Sequence, residues 1–286
     1  MEERSAIIHA LIDAATREDI GDGDHSTLCC IPADAEGKAV LKIKQEGILA
    51  GMELAEEIFH HFQPSSVFIA HKKDGDHMQF GEMAFEVQAK VHTILTCERL
   101  VLNCMQRMSG IATLTRYYAD KIKNYKTKVL DTRKTTPNFR LPEKEAVRIG
   151  GGVNHRFGLY DMIMLKDNHI DYCGGIEKAI ALAGDYVRCY KPGLKIEVET
   201  RSLEDVKKVI AAGKGIVFRI MLDNFTPAAI AEALPFIGSD FETEASGGIN
   251  LDNIEAYAAT GVDYVSVGSL IHQAKSLDLS LKAVIL

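Results

Sequence analysis

This sequence of 286 residues has no tryptophan, only six cysteines and no long apolar run. The cysteines, at positions 29, 30, 97, 104, 173 and 189, form no C-x-x-C pair and no His/Cys zinc spacing. Free thiols in a reducing, cytoplasmic compartment are the expected state. The N-terminus carries charges throughout and has no h-region, so a secretory signal is not expected. With no run approaching about 18 apolar residues, no membrane span is expected either. There is no low-complexity tract and no Gly/Ser- or Pro-rich linker. No G-x-G-x-x-G follows an early strand, which counts against a dinucleotide site. Positive charge is also in deficit: 33 Lys and Arg against 40 Asp and Glu give a net charge of −7. A nucleic-acid partner is therefore not expected. An anionic small molecule remains open, because a local basic site can sit in an acidic chain.

What is present is one large or two ordinary domains' worth of apolar residues. Residues 3–17 have a helical period, with Ile7, Ile8, Leu11, Ile12 and Ala15 on one face. The acidic stretch from Glu18 to Thr27 invites a calcium reading, but the EF-hand pattern is missing and a structured loop is the simpler expectation. Strand patterns at 38–45, 66–71 and 83–91 and a helix at 52–62 make residues 1–92 a small α+β unit with an antiparallel sheet. A helical stretch from about 93 to 123 follows, and Ser109-Gly110 is expected to break or bend it.

From residue 127 the rhythm changes. β-rich runs at 127–131, 161–166, 194–199, 216–222, 240–245 and 262–267 alternate with helical ones at 175–184, 202–212, 226–234 and 250–259. This predicts a parallel sheet. The expected form is a β/α barrel, either with fewer than eight strands or with strands that escape the pattern; a doubly wound open sheet is the alternative.

Polar residues recur where these runs end, which is where β/α barrels place their active sites. The ends carry Asp131-Thr132-Arg133-Lys134, Lys166-Asp167-Asn168-His169, Glu197-Val198-Glu199, Asp223-Asn224, Ser246-Gly247-Gly248 and Gly268-Ser269. Residues 132–156 hold six cations (Arg133, Lys134, Arg140, Lys144, Arg148 and Arg156) against Glu143 and Glu145, a local balance of +4, with His155 adding a titratable donor. Gly150-Gly151-Gly152 within this window would let backbone approach a ligand. Arginine grips carboxylates and phosphates in bidentate fashion. Glu199 and Asp223 either hold Mg²⁺ against a polyphosphate or pair with the lysines; the spacing leaves both open. The turns at Ser246-Gly247-Gly248 and Gly268-Ser269 are candidate phosphate cradles.

The segments DTRKTTPNFR (131–140), GGGVNHR (150–156), MLKDNH (164–169), EVE (197–199), LDNF (222–225) and SGGI (246–249), in this order, closely resemble the quinolinate phosphoribosyltransferase family. EDIGDGDHST near the N-terminus and ERLVLNCMQRMSGIAT (98–113) resemble it too, so the likeness covers nearly the whole chain. The resemblance implies an N-terminal α/β sandwich (residues 1–112, joined by a C-terminal tail, 271–286) and an incomplete TIM-like β/α barrel (113–270). It implies transfer of phosphoribose from 5-phosphoribosyl-1-pyrophosphate to quinolinate with loss of CO₂, and Mg²⁺ as cofactor. It also implies at least a homodimer with a shared site. Carried over residue by residue, Arg133, His155, Arg156 and Lys166 would hold quinolinate, with Arg99 supplied by the neighbouring subunit. Lys134, Glu199, Asp223, Ser246, Gly247, Gly248 and Gly268 would bind the phosphoribosyl pyrophosphate. Lys134, Lys166, Glu199 and Asp223 would be catalytic, with Glu199 and Asp223 serving the metal. One departure stands out: where the family often has Thr before His, this chain has Ile271-His272, leaving Ser269 as the nearby hydroxyl. The competing readings are a Schiff-base aldolase using Lys166, a phosphate-ligand sensor without turnover, and a family member found with molybdate transport that acts on another base.

Overall fold

The computed structural model describes residues 2–284. In chain order the elements are α1 (Glu2–Asp19), α2 (His25–Cys30), β1 (Glu36–Ile43), β2 (Gly47–Ile48), α3 (Met52–Phe62), β3 (Val67–Ala70), β4 (His77–Met78), β5 (Met83–Lys90), α4 (Val91–Lys121) and β6 (Lys128–Leu130). They continue with α5 (Arg140–Ile149), β7 (Ile163–Leu165), α6 (Asp167–Cys173), α7 (Ile176–Tyr190), β8 (Ile196–Thr200), α8 (Leu203–Gly213) and β9 (Arg219–Asp223). The chain ends with α9 (Pro227–Ile237), β10 (Glu242–Ser246), α10 (Ile254–Ala258), β11 (Tyr264–Ser266), α11 (Ser269–His272) and β12 (Leu279–Val284). The chain divides into two compact units. One comprises Met1–Arg116, Thr135–Gly151 and Leu270–Leu286; the other comprises Tyr117–Lys134 and Gly152–Ser269. Residues 1, 285 and 286, the outermost ends of the expected N-terminal segment and tail, lie outside the described residues.

The first unit is built on an antiparallel sheet of order β12-β1-β5-β3. Leu41 of β1 stands opposite Leu281 on one side and Phe85 on the other, so the C-terminal strand completes the sheet. Phe59 of α3 packs on this sheet, with ring centroids 6.1 Å from Phe85 and 6.4 Å from Phe68. Ile8 and Ile12 of α1, one turn apart, are fully buried. The acidic stretch near residue 24 is the start of α2: the Asp24 carboxylate accepts the Thr27 N–H at 3.1 Å and acts as an N-cap.

Ser109-Gly110 does not break its helix, and Gly150 faces the protein's own backbone. Helix α4 runs unbroken from Val91 to Lys121 through Ser109-Gly110. Gly110 is there for a close approach, since a Cβ would lie 2.0 Å from the Lys275 carbonyl oxygen. Ser109 is fully buried and exchanges hydrogen bonds with the Ala50 backbone, accepting its N–H at 3.0 Å and donating to its carbonyl at 3.2 Å. Glycine and serine thus serve packing, at an accepted cost in helix propensity. Gly150 likewise allows contact with the protein's own backbone, because a Cβ there would come within 2.5 Å of the Ala112 carbonyl oxygen.

The segment Thr135–Gly151 belongs to the first unit for a visible reason. Buried Glu143 of α5 accepts from Arg107 Nε at 3.0 Å, from the Thr136 N–H at 2.8 Å and from its hydroxyl at 2.9 Å. Arg107 also donates to the Ile271 and Ala274 carbonyls, tying α4, α5 and the returning tail together. Arg4 of α1 adds an ion pair to Glu145 at 2.6 Å.

The second unit is a parallel sheet of order β6-β11-β10-β9-β8-β7, and Val153 bridges Leu130 of β6 in the parallel sense. On a flat sheet the five steps from Val153 to β8 would span about 24 Å. Yet the His155 ring lies 3.0 Å from Glu197 of β8. The sheet therefore curls on itself into an incomplete barrel, which excludes the doubly wound alternative. Val198, Ile220, Leu222, Ala245 and Val265 are buried along the strands, and helices follow them as in other β/α barrels.

Candidate active site

Side chains alternate faces along a strand, so residues two apart share one. Glu197 and Glu199 share a face of β8; Arg219, Met221 and Asp223 share one of β9; Glu242, Glu244 and Ser246 share one of β10. The register pairs Glu197 with Arg219, Glu199 with Met221, and Ser246 with Asp223. One inward face thus carries a buried charged layer beneath a polar layer at the C-terminal strand ends.

At these ends, Asp223 accepts the Ser246 hydroxyl and, at 2.7 Å, the Asn224 side-chain amide. Asn224 adopts a left-handed conformation with φ 57° and donates its N–H to the Ser246 carbonyl at 2.8 Å. Gly247 has φ 93°, and a Cβ there would meet the Asn224 side-chain oxygen at 2.2 Å. Only glycine fits this turn. Gly248 has φ 65° and open space where a Cβ would stand. Its carbonyl accepts the Asn253 side-chain amide at 3.0 Å. Gly268 follows β11, and the next residue, Ser269, has its hydroxyl 3.2 Å from that of Tyr118. Ile271 is buried.

Burial, and then the charge of nearby Asp223, raises the Glu199 carboxyl; the Asp167 N–H and the Lys166 charge work in the other direction. Among the described residues neither carboxylate makes an ion pair with a Lys or Arg. Lys166 is exposed at the end of β7, where its backbone N–H donates to His169 Nδ1 at 3.1 Å and starts α6.

Arg133 and Arg156 are half-buried, and Lys134 is exposed. Burial, and then the charge of Arg133, lowers the pKa of the Arg156 guanidinium. Arg156 donates to the Met162 carbonyl at 3.0 Å and approaches the Met164 sulfur at 3.7 Å, with no carboxylate at ion-pair distance among the described residues. Two like charges held this way favour an anion between them.

His155 sits deeper than a rim ligand. Its backbone N–H donates to buried Asp131 at 2.8 Å, and its Nδ1 accepts the Arg156 N–H at 2.7 Å. Its Nε2 lies 3.0 Å from Glu197 and 3.3 Å from Glu244. Arg219 donates to Glu244 at 2.9 Å and to Glu242 at 2.8 Å, and lies over the Tyr264 ring at 4.4 Å. Burial opposes a charged imidazole, but the hydrogen bonds and charges of Glu197 and Glu244 outweigh it and push His155 up to about 9. The Arg156 N–H on Nδ1 opposes a second ring proton. Burial and Glu244 together raise Glu197. Burial opposes ionisation of Glu244 as well, yet His155 and Arg219 hold it below the ordinary range.

The structure therefore gathers Arg133, Lys134, Lys166, Arg156, Glu199, Asp223, Ser246, Gly247, Gly248 and Gly268 at the strand ends of the second unit. Of the cation-rich window, Arg140, Lys144 and Arg148 lie on α5 in the first unit, as does exposed Arg99 on α4. Lys144 is buried. Arg219 and Glu244 escaped the sequence reading, which followed strand ends and not strand faces. For Glu244 the available signal was a charged residue two positions before a polar end, in E-x-S; Arg219 lies four positions before Asp223, on the same face of its strand.

Residues 24–109 match the family described as "Quinolinate phosphoribosyl transferase, N-terminal domain", and residues 111–282 match its C-terminal domain. The chain belongs to the quinolinate phosphoribosyltransferase family. It is 43% identical over 288 residues to the tobacco (Nicotiana tabacum) protein named "Quinolinate phosphoribosyltransferase [decarboxylating] 1b", covering 96% of this chain and 82% of that one. It is 44% identical over 268 residues to the Bacillus subtilis "Probable nicotinate-nucleotide pyrophosphorylase [carboxylating]", covering 92% and 89%. The crystal structure of NadC from Streptococcus pyogenes superposes with a TM-score of 0.89 at 43% identity, covering 98% of this chain and 97% of that one.

Proposed function

We infer that this protein transfers the phosphoribosyl group of 5-phosphoribosyl-1-pyrophosphate to quinolinate. Pyrophosphate and CO₂ are released and nicotinate mononucleotide is formed, a step of de novo NAD biosynthesis. Besides family membership, the observation that supports this most is the Arg133–Arg156 pair. It consists of two half-buried guanidiniums beside the strand end that carries Lys166, and among the described residues Arg156 has no carboxylate at ion-pair distance. A dicarboxylate carries charge opposite to this pair, and Arg156 can grip one carboxylate. An aldolase lysine needs a desolvated setting, whereas Lys166 is exposed.

In this reading Arg133 and Arg156 orient the quinolinate ring nitrogen toward the ribose, with Lys166 and the partner subunit's Arg99 completing the hold. Lys134 and Lys166 meet the pyrophosphate, and the turn of Ser246, Gly247 and Gly248, with Gly268, receives the 5-phosphate. Asp223, fixed by Ser246 and Asn224, faces the ribose with Glu199. Positive charge developing at the ribose carbon is stabilised by these carboxylates, and positioning carries most of the rate. After transfer the ring is a pyridinium, whose positive charge stabilises the electron pair left on the ring carbon by departing CO₂, and a proton from water then takes the place of the lost carboxylate.

Glu199 and Asp223 fit Mg²⁺: Asp223's charge raises Glu199, and neither acid is neutralised by a lysine or arginine within the described residues. The ion would take up negative charge on the leaving pyrophosphate. Asp223 and Glu199 are the groups that would hold it.

The homodimer belongs to the same proposal, through Arg99, which is exposed on α4. Arg99→Ala and Lys166→Ala are each expected to be inactive, and mixing the two should restore activity through hybrid dimers. Failure of the mixture would remove the shared site. Six free thiols fit a cytoplasmic setting, and among the described residues no helix is long and apolar enough to cross a membrane.

The test of substrate is direct. With Mg²⁺, phosphoribosyl pyrophosphate and quinolinate, nicotinate mononucleotide should form. Turnover with nicotinate or another base but none with quinolinate would overturn the assignment.

A further inference from the structure

The turn after β10 carries three successive backbone N–H groups, those of Gly247, Gly248 and Ile249, that meet no protein acceptor among the described residues. Consecutive free N–H groups in a turn make a concavity for an anion, and the phosphoribosyl-transfer reading gives this one the 5-phosphate. Such a concavity works only while its peptide planes are held in place. Two of the three residues are glycines at positive φ, the residue type with the most backbone freedom to lose.

One side chain supplies the restraint. The Asn253 amide nitrogen donates to the Gly248 carbonyl at 3.0 Å, and the amide oxygen accepts the Asn250 N–H at 2.8 Å. Only one orientation of the amide serves both, with nitrogen toward the carbonyl and oxygen toward the N–H. The Asn250 side-chain amide adds a longer contact to the same carbonyl at 3.5 Å. A trans peptide points its C=O and N–H in opposite directions, so holding the Gly248 carbonyl also aims the Ile249 N–H away from Asn253. Asn253 is itself anchored. Its N–H donates to the Asn250 carbonyl at 3.3 Å, and the next residue, Ile254, is fully buried and donates to that carbonyl at 3.0 Å.

We propose that Asn253 is a positioning residue for the 5-phosphate half of the site, acting through the peptide between Gly248 and Ile249. The proposal rests on the phosphoribosyl-transfer reading above. The rival role for an asparagine at this place is to cap α10, which it precedes directly. The side chain does not do so: it makes no capping hydrogen bond to α10 and turns back to residues 248 and 250.

Asn253→Ala removes both restraints and leaves every proposed substrate-contacting residue in place. Three probes divide the site, each titrated by calorimetry with Mg²⁺ present. Ribose 5-phosphate reports the 5-phosphate end, pyrophosphate the leaving-group end and quinolinate the base. In N253A the dissociation constant of ribose 5-phosphate should rise roughly tenfold, the worth of one hydrogen bond in the turn. Those of pyrophosphate and quinolinate should not change. KM for phosphoribosyl pyrophosphate should rise with the first. A purely structural role would lower the thermal midpoint and weaken all three probes together, or none. The proposal is overturned if ribose 5-phosphate binds N253A as it binds wild type, if the three probes weaken in parallel, or if wild type does not bind ribose 5-phosphate. Should N253A fail to fold, Asn253→Ser decides by the same pattern, since a serine is too short to hold residues 248 and 250 at once. A wild-type protein that binds ribose 5-phosphate but forms no nicotinate mononucleotide from quinolinate would sink the functional reading alone, because the three titrations need no turnover.

Discussion

Arg156 is placed as the proposed anion-binding role requires. It is half-buried, repelled by Arg133 and held by a carbonyl and a thioether. Arg156→Lys keeps the charge but loses the planar fork, so KM for quinolinate should rise by about tenfold or more while folding is preserved. Quinolinate binding by calorimetry checks this, and unchanged affinity would show that Arg156 does not grip a carboxylate. His155 makes a pH-dependent contribution whose sign can be worked out. Its folded pKa, about 9, lies above the ordinary 6.5. Its stabilisation is therefore fully present below about 6.5 and is lost as the pH rises through 9. The thermal midpoint of wild type should fall over that window more steeply than that of His155→Asn. Most rim residues were readable in the sequence because each follows a β-rich run: Arg133, Lys134, Lys166, Glu199, Asp223 and Ser246 all sit at strand ends. His155 was visible as a polar residue, but its burial was not, because the partners that bury it come from β8 and β10, some 40 and 90 positions onward.

At the scale of elements, helix α4 carries the clearest lesson. Its Ser-Gly pair reads locally as a break, yet the helix is continuous because the returning tail occupies the space a side chain would need. Gly110→Ala should therefore destabilise the protein by about 1–3 kcal/mol through overpacking, despite alanine's better helix propensity. A chemical-denaturation midpoint that rises would contradict this packing account. Helix α5 escaped the sequence reading for the opposite reason. Its charges looked like a basic patch, while Glu143 and Lys144 are buried and only Pro142, Ala146 and Val147 mark an apolar face. The barrel strands were legible from their apolar runs and spacing. The closing of their sheet was not, since curvature is set by side chains that meet across it, His155 with Glu197 above all.

For the whole molecule, a net charge of −7 conceals a cation-rich window, and the fold divides that window between its two units. Arg133, Lys134 and Arg156 stay with the barrel, where Glu199 and Asp223 stand at neighbouring strand ends. In the proposed reaction this rim joins two anionic substrates and couples ribosylation to loss of a carboxylate. The most direct measurement uses quinolinate labelled at the 2-carboxylate, with Mg²⁺ and phosphoribosyl pyrophosphate. It counts labelled CO₂ and pyrophosphate together. The account predicts equal amounts of the two, and no CO₂ when phosphoribosyl pyrophosphate is omitted. Pyrophosphate release without CO₂, or CO₂ release independent of phosphoribosyl pyrophosphate, would contradict it.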